Sequence, residues 1–198
     1  MRQQKSGRVR VISGTAGGLF LKVPRKFPSR PTQDKVKQAV FSSMMPRIFD
    51  SHILDLYSGV GSLGIEALSR GAATCVMVEK DHVALGSIKE NLQHCHLTEQ
   101  AEVIASDVLK FLSAKIVLPQ PADLIFLDPP YIKGKNDLAT WAICEHMPRW
   151  LKEEGLIVWE HDKMNVWSDH PMLELQRTAN YGNSSVSYLI KKIPSVVD

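Results

Sequence analysis

Short apolar runs alternate with segments of helical periodicity over most of the chain after residue 50. The runs predict strands at 53–56, 74–78, 124–127 and 156–159, and one further strand centred on 103–104. The segments between them repeat apolar positions every three or four residues and predict helices at 63–70, 81–95, 107–114 and 138–150. Because parallel strands need a crossover connection, this alternation predicts an α/β fold. We expect a doubly wound, mostly parallel sheet with helices on both faces.

The end of the chain departs from that alternation. Two apolar runs, 173–176 and 186–190, flank the turn Tyr181-Gly182-Asn183. Strand-like runs separated by a turn of this kind are typical of an antiparallel hairpin. The pattern therefore predicts an antiparallel C-terminal edge on the otherwise parallel sheet.

The start of the chain follows a third pattern. Alternating apolar positions between Arg8 and Val23, with glycines among them, predict a small hairpin. Pro24, Pro28 and Pro31 follow, and they predict an extended linker because proline restricts both its own backbone and that of the preceding residue.

A helix is predicted next, with Thr32 as its N-cap and an end near Pro46. Val36, Val40 and Met44 mark its apolar face. Lys35 and Lys37 are therefore expected largely on the outer face.

Charge is distributed unevenly along the 198 residues, although the formal net charge is only +3. Residues 1–47 contain eleven Lys or Arg and one acidic residue, a net +10, and the remainder carries a net −7. A basic arm on an acidic body favours a polyanionic partner, of which nucleic acid is the most common. A solvated basic tail is the alternative interpretation.

Three widely spaced cysteines, Cys75, Cys95 and Cys144, argue against a disulfide framework and favour a reducing, cytoplasmic setting. No metal site is expected, because the run His94-Cys95-His96 has no second ligand pair at a structural-zinc spacing. No apolar stretch approaches the roughly 20 residues that span a bilayer, and no apolar segment of a secretory signal follows the N-terminus. No membrane association is predicted.

A glycine-rich turn follows the strand at 53–56. It contains Asp55, Ser58, Gly59, Gly61 and Gly64, and a G-x-G-x-x-G spacing of this kind suits NAD, FAD and S-adenosylmethionine. Asp55 favours the last of these, because a carboxylate there can hold a cationic amino-acid group but would repel a pyrophosphate.

Acidic residues also follow the next two strands. Glu79 lies 20 residues after Gly59, where a carboxylate can accept both hydroxyls of a ribose. Asp107, with Val108 beside it, is suited to accept from an adenine amine. Ser106-Asp107 is equally suited to cap the following helix.

A second motif, Asp128-Pro129-Pro130-Tyr131, follows the strand at 124–127. The prolines leave carbonyl acceptors without amide donors, Asp128 adds a carboxylate, and Tyr131 adds an aromatic plane. Such a site can accept both hydrogens of a nucleobase amine and direct its lone pair at a methyl sulfonium. An ordinary turn is the alternative, but its position after a central strand favours the chemical interpretation.

These motifs resemble those of Rossmann-like S-adenosylmethionine-dependent methyltransferases with a (D/N)PPY motif. The wider chain resembles the bacterial 16S rRNA (guanine-N2)-methyltransferase family (RsmD-like) at Arg8–Gly18, Arg30-Pro31-Thr32, Leu54–Gly71 and Asp128–Tyr131. The resemblance implies a Rossmann-like fold, S-adenosylmethionine as cofactor, and methylation of one guanine N2 in 16S rRNA within the small ribosomal subunit. The residues expected to contact RNA are Arg8, Arg10, Arg30, Thr32, Lys35 and Lys37.

The resulting hypothesis divides the chain into a basic extension, residues 1–50, and a methyltransferase domain, residues 51–198. A monomer is expected. The alternatives are an adenine-N6 or cytosine-N4 methylase of DNA or another RNA, a protein glutamine methylase, an NAD-dependent oxidoreductase, and a non-catalytic RNA-binding assembly factor. A DNA or RNA methylase of the first kind usually needs a target-recognition region, for which the extension offers little space. A protein glutamine methylase usually has Asn in place of Asp128. An NAD-dependent oxidoreductase leaves Asp55 unexplained.

Overall fold

The computed structural model describes residues 9–24, 33–114, 118–130, 144–165 and 167–192. Several predicted features lie outside these residues: Arg8, Arg30, Thr32, Tyr131, most of the linker and the first part of the helix predicted at 138–150. The backbone of Lys35 is described, but its side chain is not.

The strands are β1 (Val9–Arg10), β2 (Phe20–Leu21), β3 (His52–Leu56), β4 (Thr74–Glu79), β5 (Ala101–Ala105), β6 (Ala122–Leu127), β7 (Leu151–Asp162), β8 (Leu173–Tyr181) and β9 (Ser184–Lys191). The helices are α1 (Gln33–Ile48), α2 (Ser62–Ser69), α3 (His82–His94) and α4 (Val108–Ser113). Short 3₁₀ turns occur at Thr98–Gln100 and Met147–Trp150.

Seven strands form one sheet in the order β5-β4-β3-β6-β7-β9-β8. The pairs from β5 to β7 are parallel, whereas β9 is antiparallel to both β7 and β8. The β8–β9 hairpin turns at Gly182, which has a φ of 64°. This arrangement confirms the predicted α/β class, a Rossmann-like, mostly parallel sheet with an antiparallel C-terminal edge. The strand order reverses between β3 and β6: β4 and β5 extend the sheet on one side of β3, and β6 then pairs with the other side of β3. Sheets of this type bind their ligands at the carboxyl ends of the strands that flank this reversal.

The N-terminal hairpin pairs Val9 with Leu21 in antiparallel register. It packs into the same core as α1 and the sheet, with Val9, Val11 and Leu21 all buried. In that core the rings of Phe41 on α1 and Phe126 on β6 lie 5.5 Å apart. A second core cluster lies on the opposite face of the sheet.

Several element boundaries differ from the predictions, and the differences at α1 and β7 have a clear physical cause. Helix α1 continues through Pro46 to Ile48, because the carbonyl that loses its partner belongs to Ser42, and both residues are exposed to water. Strand β7 begins at Leu151 rather than residue 156. Its first part was not predicted because residues 152–154 are polar, whereas the prediction relied on apolar runs. In the described part of the chain, no helix is long and apolar enough to cross a membrane.

Candidate functional site

A cleft of about 470 Å³ lies at the carboxyl ends of the central strands. Asp55 and the turn after β3, Glu79 at the end of β4, and Asp128 after β6 all line it. Because parallel strands present their carboxyl ends at one edge, residues distant in sequence meet there. The cleft therefore brings together the two motifs that the sequence placed after separate strands.

Two glycines of the glycine-rich turn adopt a left-handed backbone conformation. Gly59 and Gly61 have φ values of 56° and 82°, a region that glycine adopts without strain. Gly59 lines the cleft, whereas Gly61 forms the N-cap of α2. A Cβ at Gly64 would lie 2.6–3.0 Å from atoms of Met77, Cys75 and Asp55, so this glycine lets α2 pack closely on the sheet. Of the three glycines, only Gly59 is among the described lining residues.

Asp55 is buried where its strand reaches the cleft. Its Oδ2 accepts the amide hydrogen of Gly64 at 3.0 Å, and the Ser58 hydroxyl donates to its backbone carbonyl at 2.7 Å. Burial raises the pKa of Asp55 to about 7, the Gly64 hydrogen bond opposes this shift, and the charge of Glu79 adds to it. A carboxyl whose pKa is raised in this way is only partly ionised near neutral pH. A cationic ligand group beside it would stabilise its ionised form.

The Glu79 carboxylate is held by backbone amides. Oε2 accepts from Gly59 at 2.8 Å, and Oε1 accepts from Lys80 and Asp81 at 2.8 and 2.9 Å. A carboxylate has about four acceptor positions, so three such bonds orient it without exhausting it. Glu79 thus joins the glycine turn to the wall of the cleft and can still accept a ribose hydroxyl.

Asp107 adopts the alternative role that the sequence left open. Its Oδ1 accepts from the amides of Leu109 and Lys110, which makes it the N-cap of α4, and Lys80 lies 3.2 Å from Oδ2. Partial burial raises the pKa of Asp107, but the bonds from Lys80 and the helix amides outweigh it and lower the pKa overall. Neither Asp107 nor the buried Val108 is among the described lining residues. Their contact with adenine stays a prediction.

The second motif follows β6 beside the first. Leu127 pairs in register with Leu56, so Asp128 and its prolines emerge next to the strand that carries Asp55. Asp128, Pro129 and Pro130 all line the cleft. Tyr131 lies outside the described residues, and its stacking role stays a prediction.

Lys37 requires a correction. The helical pattern predicted an outward side chain that contacts RNA, but the side chain is buried. Its Nζ donates to the Arg10 carbonyl at 2.6 Å and to the Ser62 hydroxyl at 3.2 Å, and it pairs with Glu66 at 3.3 Å. The reason is that the hairpin and α2 cover the α1 face that would otherwise face solvent. Lys37 therefore holds protein elements together instead of presenting its charge to RNA.

The remaining RNA predictions have a mixed outcome. The Arg10 residue is exposed on the hairpin. Arg8, Arg30, Thr32 and the Lys35 side chain are outside the described residues, so their contacts stay predictions. In the described ranges, no group of three or more metal-ligating side chains occurs.

Two parts of the cleft were missed by sequence reasoning. Val9, Val23, Val36 and Val40 from the hairpin and α1 form an apolar wall, which no local pattern could assign to a site. Glu160 also lines the cleft. It follows the apolar run 156–159 as Asp128 follows 124–127, and this parallel was an available signal.

Comparisons with known proteins agree with this arrangement. Residues 9–190 match the family model described as Conserved hypothetical protein 95. The chain is 37% identical to the "Putative rRNA methyltransferase YlbH" of Bacillus subtilis, covering 93% of this chain and 100% of that protein. It is 40% identical to the "Ribosomal RNA small subunit methyltransferase D" of Haemophilus influenzae, covering 79% of this chain and 80% of that protein.

Among solved structures, the "Putative methyltransferase yhhF from Escherichia coli" matches with a TM-score of 0.79 and 28% identity, covering 94% of this chain and 99% of that one. The family model spans nearly all of the sheet and both motifs of the cleft. The chain therefore belongs to this family of S-adenosylmethionine-dependent methyltransferases, to which its relatives at 37% and 40% identity also belong.

Proposed function

We propose that the chain transfers the methyl group of S-adenosylmethionine to the exocyclic N2 amine of a guanine in 16S rRNA, within the small ribosomal subunit. The observation that carries this proposal is the shared cleft of Asp55 and Asp128, whose strands pair directly through Leu56 and Leu127. The glycine-rich turn with Asp55 suits the cofactor, and Asp128-Pro129-Pro130 suits the target amine. The two motifs follow neighbouring strands of the sheet.

The described residues fit S-adenosylmethionine. The Asp55 carboxyl would face its cationic amino-acid group, the backbone at Ser58 and Gly59 would allow close approach, and Glu79 would accept from its ribose. When bound, the cofactor supplies an electrophilic methyl group on a sulfonium. The apolar wall of Val36 and Val40 excludes water from this part of the cleft.

The Asp128 side chain and the Pro129 carbonyl accept the two hydrogens of the target amine in this mechanism. Accepting both draws the nitrogen lone pair out of the base and towards the methyl group. Once the nitrogen is alkylated it carries an extra proton, and Asp128 is placed to take it. Tyr131 would stack on the base.

The RNA substrate is supported by two independent features. The relatives reported above carry rRNA methyltransferase in their names. The basic arm supplies positive charge, which attracts the phosphate backbone of RNA whatever its sequence. Arg8, Arg10, Arg30, Thr32 and Lys35 are the residues proposed to contact the RNA.

The test is transfer of a labelled methyl group to naked 16S rRNA, assembled small subunits and DNA, followed by analysis of the modified nucleosides. We expect N2-methylguanosine from an rRNA substrate and no label in DNA. Asp128→Ala should retain cofactor binding and lose most transfer, because alanine offers the target amine no hydrogen-bond acceptor. Recovery of N6-methyladenine, or near-full transfer by Asp128→Ala, would contradict the proposal.

A further inference from the structure

Glu160 occupies a position on β7 that matches the position of Asp128 beside β6. The two strands are parallel, and Phe126 pairs with Val158. Asp128 and Glu160 each follow that pair by two residues. All four residues line the cleft.

The pleat of the sheet places Glu160 on the same face as Val158, and Asp128 lines the same cleft just beyond the end of β6. Residues two apart on a strand point to one face, and paired residues on neighbouring strands share a face. Glu160 also pairs with Val186 of β9, which lines the cleft as well. Neighbouring strands lie about 4.8 Å apart, so the two carboxyl groups extend from adjacent points of one edge.

An apolar floor lies beneath the two acids. Phe126, Val158 and Val186 are buried and form part of the cleft surface. Glu160 is half-buried above them. Hydrogen bonds to a carboxylate are stronger in such surroundings than in water.

Guanine presents adjacent donors next to its exocyclic amine. Its N1–H stands beside the N2 amino group, whereas the amine of adenine or cytosine stands beside a ring nitrogen that accepts. An ionised carboxylate accepts hydrogen bonds and cannot donate one. A second carboxylate beside the amine site would therefore favour guanine and repel the edges of adenine and cytosine.

We infer that Glu160 is a specificity-determining residue that accepts the N1–H of the target guanine, while Asp128 accepts from its N2 amine. This inference rests on the proposed function and adds to it the group that selects the base. Glu160 contributes recognition, and Asp128 remains the residue at the reacting nitrogen. Enzymes that act on nucleobases commonly recognise them through hydrogen bonds to the Watson–Crick edge, which in guanine carries N1–H and the N2 amine.

The experiment compares two substrates that differ at the N1 position. The wild-type enzyme is first used to locate the methylated guanine in 16S rRNA. An RNA is then ligated with 2-aminopurine at that position, which keeps the N2 amine but carries an accepting N1. Transfer to both RNAs is measured as kcat/KM for the wild type, Glu160→Gln and Glu154→Gln, a control on the same strand whose exposed side chain lies outside the cleft.

The wild type should prefer guanine strongly over 2-aminopurine. Glu160→Gln should reduce that preference about 10- to 100-fold, as expected for losing a hydrogen bond to a charged group, because its amide can donate to the accepting N1. Glu154→Gln should keep the wild-type preference. Cofactor affinity and thermal unfolding should match the wild type in both variants.

Two results would overturn the inference. Equal loss of transfer to both bases would mean that Glu160 shapes the cleft without reading N1. Weaker cofactor binding in Glu160→Gln would assign Glu160 to the cofactor. Failure of the proposed function itself is distinguishable, because the wild-type enzyme would then produce no N2-methylguanosine in the first step.

Discussion

The Lys37 ammonium lies 3.3 Å from the Glu66 carboxylate, and the two side chains are only 2% and 0% exposed. The same carboxylate accepts the amides of Ile12 and Ser13 at 2.7 and 3.1 Å, and Arg70 Nε lies 2.7 Å away. One buried acid thereby ties the N-terminal hairpin and α1 to α2. Because hairpin and helix residues also line the cleft, this group holds one wall of the site in place.

Glu66→Gln should lower the free energy of unfolding by about 3 kcal/mol or more, since it leaves buried cations without their anion. Urea denaturation measures this change. Glu90→Gln is the matched control, because Glu90 pairs with Lys22 at the exposed surface and should alter stability by about 1 kcal/mol at most. Equal effects of the two substitutions would show that the buried network contributes no special stability.

Gly64→Ala should destabilise the protein and weaken S-adenosylmethionine binding. The added Cβ would meet Met77 Cε at 2.6 Å and Cys75 Sγ at 2.8 Å. Either these buried side chains or α2 must shift, at a cost of about 1–3 kcal/mol. Gly86→Ala serves as the control, since nothing lies within 4 Å of its Cβ and alanine favours the helix by about 0.4–1 kcal/mol. Calorimetric titration and thermal unfolding measure both properties. A Gly64→Ala variant with wild-type stability and wild-type affinity would refute the packing role.

Cofactor affinity should rise between pH 6 and pH 8. Asp55 has a pKa raised from 3.8 to about 7, chiefly by burial, so its carboxyl becomes largely ionised only across this interval. An ionised Asp55 attracts the cationic group of the cofactor, and the Asp55→Asn variant should lack this part of the rise. An identical pH profile in the wild type and the variant would show that Asp55 does not face the cation.

Stability should change with the opposite sign. Because the folded state of Asp55 binds its proton more tightly than the unfolded state, the folded protein holds more protons between pH 4 and pH 7. Its contribution to the free energy of unfolding therefore decreases as the pH rises through that window. Asp55→Asn should flatten the decrease in urea denaturation of the ligand-free protein, and an unchanged slope would contradict the assigned pKa.

Neutralising Arg8, Arg10, Arg30 and Lys35 together should weaken RNA binding and reduce its dependence on salt. Each lost phosphate contact lowers the slope of log K against log salt by about 0.7 to 0.9. Cofactor affinity should stay unchanged. Lys37→Met is the contrasting variant, because its main effect should be on unfolding rather than on the salt slope. A salt slope unaffected by the four substitutions would make the basic arm a solvated tail.

The strands and the two motifs could be predicted because their information is local. A buried parallel strand is a short apolar run, and the glycine turn and Asp128-Pro129-Pro130 directly follow such runs. The extended start of β7 could not be predicted in this way, since residues 152–154 are polar. Their place in the sheet comes from pairing with β6 across a register irregularity between Ala122 and Leu124.

The sequence by itself determined the α/β class, the position of the cofactor turn and the amine motif, because periodicity and turn chemistry act over a few residues. Only the tertiary structure decided that Lys37 is buried against Glu66 and that Glu160 joins Asp128 in the cleft. These outcomes depend on which surfaces cover α1 and which strands become neighbours. Burial and strand order are set by the packing of distant segments, and no local pattern records them.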